Sequence, residues 1–192
     1  MMDLVFNDFV SKNKELIPTL KKLNKNGVKY GLFSGSYVTL VTGYRETNDI
    51  DFLLSDDELD HIKSLFPDLQ VEQKESTLLL YIDKERKLEF GCMGDFLVNS
   101  KRYPCRLTKL AQKRVRKVNF GNVRLNLLDP VDTLLAKAIL NRGIEVKKHD
   151  ISDAKKLLLA KKIERSYLLQ RANEMHVDER VYSTLASIGV RI

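Results

Sequence analysis

The chain of 192 residues has no tryptophan, two cysteines and three histidines. No apolar run approaches the 18 residues that read as a membrane-spanning helix, so no span is expected. Cys92 and Cys105 fall in no metal-ligand spacing and are read as free thiols. Such sparse cysteine suits a reducing, cytoplasmic setting. The opening Met-Met-Asp-Leu-Val-Phe-Asn-Asp lacks the basic and apolar regions of a secretory leader, and none is expected. His61, His149 and His176 are scattered and read as surface or structural residues. Without a nucleophile-elbow pattern, they give no support to a Ser-His-Asp hydrolase. Internal repeats and low-complexity tracts are also missing.

What is present is charge, unevenly placed. Residues 1–100 carry 12 Lys/Arg against 17 Asp/Glu, whereas residues 101–192 carry 21 against 9. Residues 101–117 hold Lys101, Arg102, Arg106, Lys109, Lys113, Arg114, Arg116 and Lys117 and no acid. An acidic half beside a basic half suits a polyanion that spans both. These eight residues are therefore candidates for contact with nucleic acid.

Apolar periodicity predicts helix over residues 3–26, split near Pro18 and ended by Asn26-Gly27. Strands are predicted at Val28–Phe33, Asp49–Leu54, Leu69–Gln73, Leu78–Ile82 and Lys87–Met93. Short helices lie between, over Ser36–Thr42 and from the Ser55-Asp56-Asp57-Glu58 cap to Phe66. Pro104 and Thr108 bracket a connection into the basic segment. A hairpin over Val118–Phe120 and Val123–Leu127 turns at Gly121-Asn122. Asp129-Pro130 starts a helix with proline in its first position. Helices follow at about 130–142, 149–161, 163–175 and 178–187. The pattern is α/β (α+β): a mixed β-sheet domain over residues 1–128 and a helical part over 129–192.

Residues 33–51 carry the chemistry. The small-residue turn Ser34-Gly35-Ser36 follows an apolar run, and Asp49-Ile50-Asp51 opens a second one. On a strand Asp49 and Asp51 project from one face, roughly 7 Å apart at about 3.3 Å per residue. Carboxylates that close repel one another unless a cation sits between them. Mg²⁺ that also holds substrate phosphates is the natural cation.

This stretch resembles the nucleotidyltransferase superfamily. The match consists of the Gly35-Ser36 turn, the Asp49/Asp51 pair, and Gly43, Arg45 and Thr47 in a G-x-R-x-T-x-D-I-D wording. The resemblance implies a mixed-sheet core, a Mg²⁺ cofactor and a third acid on a neighbouring strand. Glu89 is that acid in this chain, with Asp95 as the alternative. It also implies that Gly35, Ser36, Arg45 and Thr47 bind nucleotide, with the Ser36 hydroxyl and nearby backbone N–H groups on the β- and γ-phosphates.

A second stretch runs through Leu127-Leu128-Asp129-Pro130-Val131-Asp132-Thr133-Leu134-Leu135-Ala136-Lys137, Asn141-Arg142 and Lys148-His149-Asp150-Ile151-Ser152-Asp153. It resembles the AbiEii-like nucleotidyltransferases, a group that includes toxins of type IV toxin–antitoxin systems. Thr133 and His149 depart from that pattern. The resemblance implies Lys137 on the nucleotide phosphates, with Asp150 and Asp153 as its partners or as site acids. Deleting Lys137 is expected to cost little stability, because its desolvation cost disappears with it.

The implied activity is transfer of a nucleoside monophosphate from a nucleoside triphosphate to a hydroxyl, with RNA, tRNA or protein as acceptor and an antitoxin as a protein partner. An inactive RNA-binding module of the same fold and an aminoglycoside-type enzyme are the alternatives.

Overall fold

The computed structural model describes residues 2–47, 49–55, 57–67, 71–74, 77–81, 87–91 and 94–190. The predicted strand ends at Leu69, Gln70, Ile82, Cys92 and Met93 lie outside these residues.

The chain opens with helices α1 (Met2–Lys12) and α2 (Leu16–Lys25). Pro18 sits in the first turn of α2, where its missing N–H removes no intrahelical bond. Leu16, Leu20 and Leu23 of α2 recur at helical spacing and are buried. Each such leucine contributes roughly 1.5–3 kcal/mol of burial. There follow β1 (Tyr30–Phe33), α3 (Ser34–Thr42), β2 (Asp49–Leu54), α4 (Leu59–Leu65), β3 (Val71–Lys74), β4 (Thr77–Tyr81) and β5 (Lys87–Gly91). Next come β6 (Gly94–Val98), β7 (Lys101–Cys105), α5 (Lys109–Gln112), β8 (Arg116–Phe120) and β9 (Val123–Leu127). The chain then runs through α6 (Pro130–Leu140), α7 (Asp150–Ala160), α8 (Arg165–Glu174) and α9 (Glu179–Ser187).

Seven strands form one mixed sheet in the order β3-β4-β5-β2-β1-β9-β8. β1 runs antiparallel to β2 and parallel to β9, and β2 runs parallel to β5. Gly31 lies where β1 meets the β9–α6 connection: a Cβ there would come within 2.3 Å of Leu128 Cδ2. The core is one hydrophobic cluster that includes Leu32 and Phe52 from the sheet, Tyr37 from α3, and Leu134 and Leu185 from the later helices.

Two elements differ from the sequence reading. Residues 94–105, where the sequence reading places no strand, form a second, two-stranded sheet, β6 with β7. Its turn passes through Asn99 and Ser100, both with positive φ (50° and 64°). Two left-handed residues in succession are what a tight two-residue hairpin needs, and Asn-Ser is a weaker signal for it than Asn-Gly. Helix α3 also begins at Ser34, two residues earlier than expected, with Ser34 itself at φ 56°.

The helical part is tied together by a buried ion pair. Arg171 Nε on α8 donates to Asp132 Oδ1 on α6 at 2.6 Å, and both residues are 1% exposed. Tyr167 adds a hydrogen bond to the same carboxylate. Burial pushes the Asp132 carboxyl up against the opposing pull of Arg171. A carboxylate buried this deeply needs such partners to stay ionised.

Candidate active site

The β2 register builds one wall from acids. Ile50 and Phe52 turn into the core while Asp49 and Asp51 stay half-buried on the other face. Asp51 is level with Phe33 on one side and with Glu89 of β5 on the other. Neighbouring strands lie about 4.8 Å apart, so the Glu89 side chain rises beside that of Asp51. Glu89 and the aspartate pair thus come together on one cleft wall. Asp95 does not join them: it pairs with Arg102 at 3.8 Å and Arg106 at 3.5 Å.

The turn after β1 sets the cleft floor. Ser34 and Gly35 line the cleft. Ser36, expected there, is fully buried beneath it. Its hydroxyl donates to the Phe33 carbonyl at 2.8 Å and accepts from the Asp51 N–H at 3.1 Å. It therefore ties the turn to the acid-bearing strand, and its side chain is not presented to a ligand. The left-handed Ser34 costs on the order of 1 kcal/mol for a residue with a Cβ. A Cβ on Gly35 would come within 2.9 Å of Arg45 Nη2, so the glycine admits the arginine close to the turn. Thr47 caps the approach to β2 by donating to the Asp49 carbonyl at 3.0 Å.

Opposite the acids stands a ladder of alternating charge. Arg45 Nε and Nη2 donate to the two oxygens of Asp153 at 2.9 and 2.8 Å, a bidentate pair. Lys137 Nζ lies 3.0 Å from both Asp153 Oδ2 and Asp150 Oδ1. Arg142 Nε donates to Asp150 Oδ2 at 2.7 Å. Asp150, Asp153 and Lys137 are the buried rungs, at 1%, 0% and 4% exposure. Desolvation pushes the Asp150 carboxyl up, but hydrogen bonds from Arg142 and the charge of Lys137 outweigh it and hold it below the usual carboxylate range. The Asp153 carboxylate, accepting two N–H bonds, raises the Arg45 guanidinium further, and the charge of Asp51 adds to this through space.

The cleft between these walls has a volume of about 630 Å³. Asp49, Asp51, Glu89, Arg45, Thr47, Lys137 and Asp150 line it, and Asp153 supports it from behind. Arg142, Lys147 and Lys148 complete the cationic side, and His149 lies among them. His149, read from sequence as a surface or structural residue, is exposed and borders the cleft. The signal was its place beside Asp150 in the second motif.

The basic run 101–117 is divided by the fold. Lys101 pairs with Asp178 at 2.9 Å, and Arg114 bridges Asp129 at 3.1 Å and Glu164 at 2.6 Å. Arg102 and Arg106 hold Asp95. Lys109, Lys113, Arg116 and Lys117 are exposed. Lys113, Arg114, Arg116 and Lys162 line a groove of about 480 Å³.

No protein-family model matches the chain, and no curated protein matches it. Solved structures match it in fold. The lincosamide antibiotic adenylyltransferase LnuA, lincomycin-bound, gives a TM-score of 0.52 at 17% identity, covering 78% of this chain and 98% of that one. The antibiotic-resistance factor ANT(2'')-Ia gives 0.58 at 10% identity over 92% of this chain and 96% of that one. An antigenic nucleotidyltransferase-like protein from Paracoccidioides brasiliensis gives 0.58 at 14% identity over 95% and 87%. The chain thus has the nucleotidyltransferase fold, and at these identities the likeness is one of fold alone.

Proposed function

We propose that the chain is a Mg²⁺-dependent nucleotidyltransferase that moves a nucleoside monophosphate from a nucleoside triphosphate to a hydroxyl, with RNA as the acceptor class. The observation that carries this reading is the shared register of Asp51 and Glu89 beside Asp49, across a cleft from Arg45, Lys137 and Arg142.

The donor set on the acid wall is all oxygen, which fits a hard cation. Among the described residues no three His, Cys, Asp or Glu side chains converge into a preformed cage. Mg²⁺ asks for less: one or two carboxylates plus substrate phosphates. Asp49 and Asp51 would hold the ion, with Glu89 beside them. When bound, it would neutralise phosphate charge and bridge the triphosphate to the acid wall. The Glu89 carboxylate accepts the proton of the attacking hydroxyl. That oxygen bonds to the α-phosphorus as the bond to the β-phosphate oxygen breaks and pyrophosphate leaves. Lys137 and Arg142 stabilise the charge growing on the leaving group. Backbone N–H groups of the Ser34-Gly35 turn, at the start of α3, take phosphate oxygens.

The uneven charge of the chain supports a polyanionic acceptor, and the exposed Lys109, Lys113, Arg116 and Lys117 are its proposed contacts. The likeness of residues 127–154 to the AbiEii-like group extends the reading to a toxin-like enzyme with an antitoxin protein as partner. A small-molecule acceptor is the second reading, favoured by the fold shared with LnuA and ANT(2'')-Ia, whose names and bound ligands are those of antibiotic modification.

The test is incubation with each labelled nucleoside triphosphate, Mg²⁺ and either total RNA or a panel of aminoglycosides and lincosamides. Label on RNA is expected, label on a drug selects the second reading, and no label on any acceptor rejects transfer. The Asp49→Asn, Asp51→Asn double variant is expected to fold like the parent and lose Mg²⁺-dependent nucleotide binding. Calorimetry showing unchanged binding would remove the site assignment.

A further inference from the structure

The charged cleft also has apolar lining, to which the β6–β7 hairpin contributes Phe96 and Cys105 beside Phe33, Phe52, Leu53 and Leu140. The register places Phe96 opposite Tyr103 and Gly94 opposite Cys105. Strand alternation then puts Phe96, Tyr103 and Cys105 on one face and Asp95, Leu97 and Arg102 on the other. The side chains follow this division. Leu97 is 66% exposed, and Tyr103 is 1% exposed with its hydroxyl donating to Asp178 at 2.8 Å. Phe96 packs partly against the core, and with Cys105 and Leu140 it lines the cleft that holds the acids. Phe33 and Phe52 reach the same cleft but are core residues, 7% and 2% exposed. Among the phenylalanines there, Phe96 is the ring with surface left to offer.

The hairpin is firmly held. Lys101 and Tyr103 both bond Asp178 at the start of α9. The Arg180 guanidinium lies 5.4 Å from the centre of the Tyr103 ring, and its Nη2 donates to the Ile139 carbonyl at 2.8 Å. The ring of Phe96 is therefore presented from a hairpin whose partner strand β7 is fixed to the start of α9, which in turn bonds α6.

A nucleoside triphosphate joins a polyanionic tail to a planar base. The acids and cations of the cleft account for the tail. An aromatic face beside them accounts for the base, since bases stack on such faces regardless of their sequence identity. We propose that Phe96, backed by Leu140, is the stacking platform for the base of the bound nucleotide. The proposal rests on the nucleotidyltransferase reading and adds the group that fixes the nucleoside.

The chain has no tryptophan, so Phe96→Trp places a single indole at the platform. Its fluorescence is titrated with Mg²⁺-ATP and, separately, with Mg²⁺-tripolyphosphate, which has the charge but no base. Saturable quenching by Mg²⁺-ATP and little change with tripolyphosphate are expected. Calorimetry on Phe96→Leu, which keeps apolar packing and loses the ring, should show Mg²⁺-ATP bound about tenfold or more weakly, the scale of one lost stack. Its tripolyphosphate affinity should match the parent. Equal quenching by both ligands, or parental ATP affinity in Phe96→Leu, overturns the platform and leaves the nucleotidyltransferase reading standing. A parent chain that binds no Mg²⁺-nucleotide overturns both.

Discussion

Lys137 shows how a single residue is redefined by its surroundings. An apolar helix carrying a lysine suggested a group whose deletion relieves a desolvation cost. The structure places its ammonium between two buried carboxylates, at 3.0 Å from each. Removing one partner of a buried ion pair leaves charge stranded, typically at 3–5 kcal/mol. Arg45 and Arg142 remain to hold Asp153 and Asp150, so Lys137→Ala is expected to cost about 3 kcal/mol, the low end of that range. Urea unfolding measures it, and a loss under about 1 kcal/mol, the net worth of one ordinary hydrogen bond, would contradict the ladder. Turnover should fall by a factor on the order of 10² or more, as when one preorganised charge-stabilising group is lost. Gly35 is redefined in the same way. Besides lining the cleft, it admits Arg45 close to the turn.

At the scale of elements, the β6–β7 hairpin brings Phe96 and Cys105 to the cleft, and Asp178 decides how the hairpin is held. The hydrogen bond from Lys101, opposed by partial burial and helped by Tyr103, lowers the Asp178 carboxyl to about 2 from its ordinary 3.8. The folded state therefore binds that proton less readily than the unfolded state. The stabilisation is fully present above about pH 4 and is lost as pH falls toward 2. Asp178→Asn keeps one oxygen as a good cap for α9, turns an amide NH2 toward Tyr103 and Lys101 in place of the second oxygen, and removes the charge. Its side chain is 32% exposed and that of Lys101 41%, so screening limits the effect to about 1 kcal/mol at neutral pH. The gap between parent and variant in urea midpoint should close between pH 4 and 2. A gap that persists at pH 2 would mean the carboxylate charge is not what clamps the hairpin.

For the whole molecule, the sheet converts a charge imbalance along the chain into one across its surface. Asp51 is level with Phe33, Leu32 with Leu127, and Leu127 with Arg116. Arg116 thus stands at the same end of the sheet as the acids, three strands from β2, or about 14 Å at 4.8 Å per strand. A strand of RNA whose end enters the cleft would meet Arg116, Lys113 and Lys162 within a few nucleotides. RNA affinity is expected to fall steeply with salt, and replacing those three residues by alanine should flatten the logarithmic slope by about 2. Filter binding across a salt series reads this directly, and an unchanged slope would move the acceptor to another surface or another chemistry. Arg114 is left intact in this test because it holds Asp129 and Glu164 together.

The sequence by itself determined the acid pair, the turn before it and the mixed α/β order. Those features depend on neighbours two to fifteen positions away, where strand alternation and turn chemistry act locally. It also named Lys137, Asp150 and Asp153 through motif likeness, with the acids as partners of the lysine or as site acids, and left open which. The tertiary structure alone decided that Ser36 lies under the cleft, that Arg45 reaches Asp153 from 108 positions away, and that half of the basic run is spent on internal ion pairs. It also turned a segment with weak turn chemistry into the hairpin that carries Phe96. Each of these outcomes depends on which charges and apolar faces the sheet order brings together, and pairings across such distances leave no local period in the chain.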